Sequence, residues 1–187
     1  MIDVHCHLNF HKFEEDYDAV IKRALEKGVT RIINTGTKID SSKHAIELAD
    51  KYNELYAIVG VHPHHADKVT DRHPGEATTS IGSRDSIAAL QNDKLPHDWI
   101  EQLEEMTHHP KVVGIGECGM DFYEYQSNGI DDPKLQQEVF ESQIEIAYTA
   151  GLPLQIHNRQ AGEKVIEILP YYKNQLLPNP GMFHCVA

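Results

Sequence analysis

The sequence is poor in the features that would staple a fold, insert it in a bilayer or dock it on polyanions. Its 187 residues hold three cysteines, Cys6, Cys118 and Cys185. That odd number, widely spaced and without a C-x-x-C pair, makes no disulfide framework and fits a reducing compartment. No apolar run approaches the ~20 residues of a membrane span. A cleaved leader is not expected, because functional-looking residues begin at position 3. The expected location is cytoplasmic, or nuclear where the cell has a nucleus, with no membrane partner. Basic residues are also scarce, since 17 Lys and Arg face 29 Asp and Glu for a net charge of -12. A chain of that charge has no broad basic face with which to grip duplex nucleic acid along its length. A nucleic-acid substrate then requires local cations to neutralise its phosphates.

Short apolar runs alternate with amphipathic segments from start to end. Ile2 to His5, VTRIINTG, LYAIVGVH, KVVGIGE, LPLQIH and GMFHC read as strands. Between them, helices are expected over Glu14 to Lys27, the serine-capped SSKHAIELADKY, the stretch around DWIEQLEEMTHH, Pro133 to Ala150 and Gly162 to Leu169. Six strands separated by five helices imply β-α-β units and a parallel sheet. Residues 1–187 read as one domain, and the polar, aperiodic stretch 71–97 reads as a loop insertion, because the alternation resumes unchanged after it.

The chemistry falls at strand ends. His5 and His7 follow the first strand, His62 and His64 the third, Glu117 the fourth and His157 the fifth, while His184 lies at the sixth. In parallel α/β folds that edge binds ligands, and in a barrel all such ends converge on one mouth. In an extended chain, residues two apart share a side, so His5 and His7 face one point. Imidazoles with a carboxylate suit Zn²⁺, Mn²⁺, Fe²⁺ or Mg²⁺, and one carboxylate can bridge two cations. Glu117 is the natural bridge, with His5 and His7 on one metal and His157 and His184 on the other. Singly, each residue has an ordinary explanation as a packed histidine or a capping carboxylate. Jointly they would need five independent coincidences.

Three flanking features extend this reading. In GVHPHHA, His62 or His64 can contact a substrate phosphate or transfer a proton, and Glu117 joins them as a catalytic group. In IHNRQA, Arg159 lies two beyond His157, on the same side, where a guanidinium could clamp a phosphate. Each cysteine adjoins a proposed ligand, which could suggest a thiolate metal cluster, but wherever the chain is still extended strand alternation turns it outward, under the helices, as a small apolar residue.

Taken in series, DVHCHL, GVHPH, GIGECGMDFY, the Gln136, Phe140 and Gln143 pattern, LPLQIHNRQA and FHC resemble the TatD-type DNase family of metal-dependent hydrolases. The resemblance covers nearly the whole chain outside 71–97. It implies a TIM-type (β/α) barrel, of which this chain supplies about six of eight β-α units. It also implies a 3′-to-5′ deoxyribonuclease with His5, His7, Glu117, His157 and His184 as metal ligands. Two divalent cations are expected, Mg²⁺ first and Mn²⁺ or Zn²⁺ as alternatives, with single-stranded DNA ends as the partner. The family's ligating aspartate after the last strand has no counterpart here, so a poorly soluble or inactive product is expected unless a second chain completes the barrel. A gene fragment and a short protein with a partial site both fit this ending. The rival readings are hydrolysis of another ester or amide bond at the same metals, and a non-catalytic remnant.

Overall fold

A computed structural model of the chain describes residues 1–69, 98–126, 132–173, 179 and 181–186. Six strands form one sheet: β1 (Ile2–Cys6), β2 (Arg31–Thr35), β3 (Leu55–Val59), β4 (Val112–Asp121), β5 (Leu154–Arg159) and β6 (Met182–His184). Their spatial order is their sequence order, and every neighbouring pair is parallel. Every crossover therefore steps to the next position and none reverses. A doubly wound sheet has such a reversal, and a (β/α) barrel does not. The expected parallel α/β architecture is what the chain forms, with β1 and β6 as the outer strands of the described sheet.

The helices are α1 (Tyr17–Glu26), α2 (Ile39–Lys51), the short α3 (Ala66–Val69), α4 (Asp98–Thr107), α5 (Pro133–Ala150) and α6 (Gly162–Ile168). The longest, α5, has punctuation legible in the sequence. Proline occupies its first turn, the Asp132 side chain accepts a hydrogen bond from Lys134 N–H at 2.9 Å, and Gly151 ends it at φ 65°. Its inner stripe of Leu135, Val139, Phe140, Ile144 and Ala147 follows the helical period and packs into the main core. That core also holds Val59, Ile115, Met120, Leu154 and Ile156 from the strands and Trp99 and Leu103 from α4. A smaller cluster of Leu8, Ile21, Ile32, Leu48 and Leu55 seals the β1 side.

Several boundaries differ from the sequence reading. Strand β4 does not stop at Glu117 but runs ten residues to Asp121. Helix α2 begins at Ile39, so Ser41 lies inside its first turn, where its Oγ accepts from the backbone N–H of Thr37 and Lys38. The start of α1 is Tyr17, after a 3-10 turn over His11–Phe13. The expected insertion 71–97 lies outside the described residues. Among the described residues, no helix is long and apolar enough to cross a membrane.

Candidate metal centre

Glu117 sits at the middle of the carboxyl edge of the sheet, 3% exposed, and its two oxygens face different strands. Oε2 lies 3.7 Å from His5 Nε2 and 3.5 Å from His7 Nε2. Oε1 lies 2.6 Å from His157 Nδ1, 3.4 Å from His184 Nε2 and 3.8 Å from His62 Nε2. The structure thus brings His5, His7, Glu117, His157 and His184 together. His5 and His7 lie nearer Oε2 and His157, His184 and His62 nearer Oε1, while the His5 and His184 rings stack across the two groups with centroids 3.8 Å apart.

The hydrogen bonds around the cluster assign the ring protons. Gln155 Nε2 donates to Val4 O at 3.0 Å and Thr35 Oγ1 donates to Gln155 Oε1, so Oε1 is an acceptor. His5 Nδ1, 2.9 Å from that oxygen, must therefore carry a proton. His7 Nδ1 likewise donates to Thr35 O at 2.9 Å. In the neutral rings both Nε2 atoms are then bare, and they stand 3.0 Å apart beside Glu117 Oε2. Three lone pairs converge with no donor among them. A half-buried arrangement of that kind calls for positive charge, a ring proton or a metal cation, and the donor set of two imidazoles and a carboxylate suits a divalent metal. His5, Glu117 and His184 form one group with ligand atoms within 4.8 Å of one another.

On the other side His157 spans two carboxylates. Its Nε2 donates to Asp121 Oδ2 at 2.9 Å while Nδ1 meets Glu117. Asp121 is 1% exposed, and its carboxylate also meets His64 Nε2 at 3.1 Å, Tyr123 N–H at 2.9 Å and Tyr125 Oη at 3.1 Å. Sequence reasoning passed over this residue because it ended the strand at Glu117. The period of two was the available signal, since Glu117, Gly119 and Asp121 share one side of an extended strand. Gln155 and Thr35, which fix the rings of His5 and His7, carried no comparable signal.

His62 differs from its neighbours. Its Nδ1 accepts from His64 N–H at 3.1 Å, so the neutral ring keeps its proton on Nε2, aimed at Glu117 Oε1 and His157. Although it lies within reach of a metal in this site, it is there as a donor. The preceding residue is held by α5, because Gln143 Oε1 accepts from Val61 N–H at 2.8 Å and Nε2 donates to Val61 O at 2.9 Å. Gln136 brackets the backbone of Asp121 in the same way. Glycines admit β5 at closest approach. At Gly116 (φ 151°) and Gly119 (φ 130°), an added Cβ would run into the carbonyl oxygens of Gln155 and His157.

Burial would raise the Glu117 carboxyl, but the His157 hydrogen bond and the surrounding imidazoles outweigh it and hold the group down at about 2. Burial likewise works to lower His157, yet the hydrogen bonds and charges of Glu117 and Asp121 leave it raised. For His5, His62 and His184 burial wins and the rings are pushed down, His62 most of all.

Arg159 points along the same edge but stays clear of Glu117. Its guanidinium lies over the Tyr123 ring at 4.1 Å and donates to Tyr125 Oη at 2.8 Å. Cys6 and Cys118 turn away, donating to Ile33 O and Gln155 O. Cys185 departs from the outward packing expected of all three. At φ 55° the chain there is no longer extended, and Sγ joins His157 and His184 in a group of possible ligands within 4.8 Å.

A parallel sheet whose carboxyl edge gathers imidazoles around one buried carboxylate defines a (β/α)-barrel-type protein with a candidate divalent-metal centre. The chain belongs to the TatD related DNase family, whose sequence model matches residues 2–187. It is 32% identical to the 3′-5′ ssDNA/RNA exonuclease TatD of Musicola paradisiaca, over 99% of this chain and 58% of that protein. It is 33% identical to the uncharacterized metal-dependent hydrolase YabD of Bacillus subtilis, over 99% of this chain and 60% of that one. The crystal structure of YJJV, a TatD homolog from Escherichia coli, superposes with a TM-score of 0.74 at 28% identity, covering 100% of this chain and 60% of its own. The chain therefore spans about 60% of the length of these relatives.

Proposed function

We propose that the chain carries the metal-binding part of a divalent-metal-dependent phosphodiesterase that removes nucleotides from the 3′ end of single-stranded DNA or RNA. The convergence of the bare Nε2 atoms of His5 and His7 on Glu117 Oε2 carries the reading, because it calls for positive charge and its donor set suits a divalent metal. The names of the relatives supply the bond and the substrate class.

In this reading His5, His7 and Glu117 would hold one cation, and His157, His184 and Glu117 a second. Bound cations would supply Lewis acidity toward a phosphate and an acidified water, whose pKa falls from ~16 toward ~7 on such sites. The imidazole-rich donor set favours Mn²⁺ or Zn²⁺ over Mg²⁺, which prefers oxygen ligands. That reverses the order expected from the resemblance. The proton on His62 Nε2 is placed to hydrogen-bond a phosphate oxygen or reach a leaving group. His64 is tied to Asp121 and orders the rim. Arg159, held by Tyr125, offers the nearby positive charge for a neighbouring phosphate.

The test is hydrolysis of end-labelled single-stranded and duplex oligonucleotides, beside small ester and amide substrates, with Mn²⁺, Zn²⁺ or Mg²⁺. Shortening from the 3′ end that is abolished by EDTA and by Glu117→Ala, with the variant's circular dichroism unchanged, is the expected result. Equal activity in the variant, or turnover confined to the non-phosphate substrates, would overturn the proposal.

A further inference from the structure

Beside the candidate centre a cleft of about 310 Å³ opens, lined by His7, Phe10, His62, His64, Glu117 and Tyr125 among others. Its size is that of a small-ligand site, ~300 Å³ at the lower bound. Among the described residues, no lysine or arginine lines it. Two aromatic rings flank its polar floor, and both are fixed before any ligand arrives. Phe10 lies flat on His7, with centroids 4.5 Å apart and planes 14° from parallel, yet 38% of it remains exposed. Tyr125 is set edge-on to His64 at 4.5 Å, and its hydroxyl is tied to Asp121 and to Arg159.

We infer that this cleft is a nucleobase subsite, in which the base next to the scissile phosphate stacks on the free face of Phe10, with Tyr125 as the opposite wall. The inference rests on the phosphodiesterase reading for the position of the phosphate, over Glu117. Stacking on a fixed ring costs little ordering entropy and tolerates every base, as single-strand sites require. A base can enter the cleft only after leaving its duplex stack, which selects unpaired ends.

The probe is a single-stranded hexanucleotide with 2-aminopurine at its 3′ end and a cleavage-resistant phosphorothioate at the last linkage. An otherwise identical strand ending in an abasic residue is the comparison. Both are titrated in Mn²⁺. The wild type should quench the 2-aminopurine, and Phe10→Leu, which keeps apolar cover over His7 but loses the flat face, should weaken binding roughly tenfold. Phe10→Tyr should bind within about twofold of wild type, since the ring is kept. Removing the base should cost the wild type a similar factor, and the two losses should not add. Equal weakening of both strands by Phe10→Leu would show that Phe10 merely covers His7, and would overturn the inference, as would no quenching at all. Quenching by a wild type that hydrolyses no phosphodiester would leave the subsite standing and remove the phosphodiesterase reading. Hydrolysis with no base-dependent loss in Phe10→Leu would do the reverse.

Discussion

Asp121 and His157 form a buried pair, with Oδ2 accepting the Nε2 proton at 2.9 Å and both side chains almost fully enclosed. Nδ1 meets Glu117 Oε1 at 2.6 Å, a hydrogen bond that needs a proton there as well, so the ring is held between two carboxylates; giving up the Nδ1 proton while Asp121 keeps the one on Nε2 would bare the nitrogen a metal takes. Asp121→Asn keeps the shape but can present an amide N–H to Nε2, moving the ring proton to Nδ1 and blocking the side that faces Glu117. Metal affinity is expected to fall 10- to 100-fold, the usual cost of losing such a partner. Calorimetric titration with Mn²⁺ or Zn²⁺ reads the affinity, and the ¹⁵N shifts of the His157 ring read the tautomer. Unchanged affinity with a switched tautomer would show that the pair is structural only.

Gly119→Ala tests why β4 carries glycine between Glu117 and Asp121. At φ 130° an alanine is strained, and its Cβ would run into the His157 carbonyl oxygen across the β4 and β5 pair. A loss of roughly 2 kcal/mol or more in chemical denaturation is expected. A loss below about 0.5 kcal/mol, the range of ordinary surface changes, would mean that β5 can shift to make room.

Gln143→Leu tests the amide that holds the strand end before His62. Leucine fills similar volume but leaves the Val61 N–H and C=O unpaired, although Val61 is 0% exposed. Orphaning buried polar groups costs ~1 to 3 kcal/mol each, so for the two groups a destabilisation of about 2 to 6 kcal/mol is expected. Gln143→Glu is the informative companion, since its carboxylate can still accept from Val61 N–H but cannot donate to Val61 O when ionised. At neutral pH it should be at least as destabilising as leucine, because its charge is buried against the Val61 carbonyl, and the loss should shrink at low pH, where the protonated acid can donate to Val61 O.

What the sequence made legible follows from where the information resides. Period-two alternation and strand-end position were enough to bring His5, His7, Glu117, His157 and His184 to one place without any coordinates, because a parallel sheet sends its carboxyl ends to one edge. The length of β4 was not legible, since two glycines that read as a turn instead serve as close-approach points within a strand. Asp121 was lost with that boundary. Gln155 and Thr35 were hidden for another reason, because their importance comes from cross-strand partners at long sequence separation. Cys185 was misplaced by assuming an extended backbone at a residue that turns to positive φ.

Thiol chemistry separates the buried cysteines from any catalytic role. Burial pushes Cys6 up to about 12 and raises Cys118 still further, and Cys118 is 0% exposed. The thiolate is the reactive form, so neither should react with iodoacetamide at pH 8 in the native protein, and both should after denaturation. Peptide mapping of the alkylated protein reads this, and rapid native labelling of Cys118 would show that the main core opens.

Acid stability of the metal-free protein follows from the same cluster. His5, His62 and His184 are lowered below their ordinary 6.5, so the unfolded chain binds protons more readily than the native one, and stability falls as pH drops below 6.5. His157 has the opposite sign. Its raised value stabilises the fold below 6.5, and that contribution is lost as pH rises through the raised value. Acidification therefore sets the three lowered rings, His62 most strongly lowered among them, against His157. Glu117 joins the three, since its carboxylate, held at about 2, stabilises the fold above 4.5 and loses that effect as pH falls from 4.5 toward 2. In EDTA, the melting temperature should therefore decline from pH 7.5 to pH 5 and fall further below 4.5. Replacing His62 with Gln removes the most strongly lowered ring and should flatten the upper part of that decline. A melting temperature that rose on acidification to pH 5 would mean that the cluster takes up protons in the fold, and that His157 outweighs its neighbours.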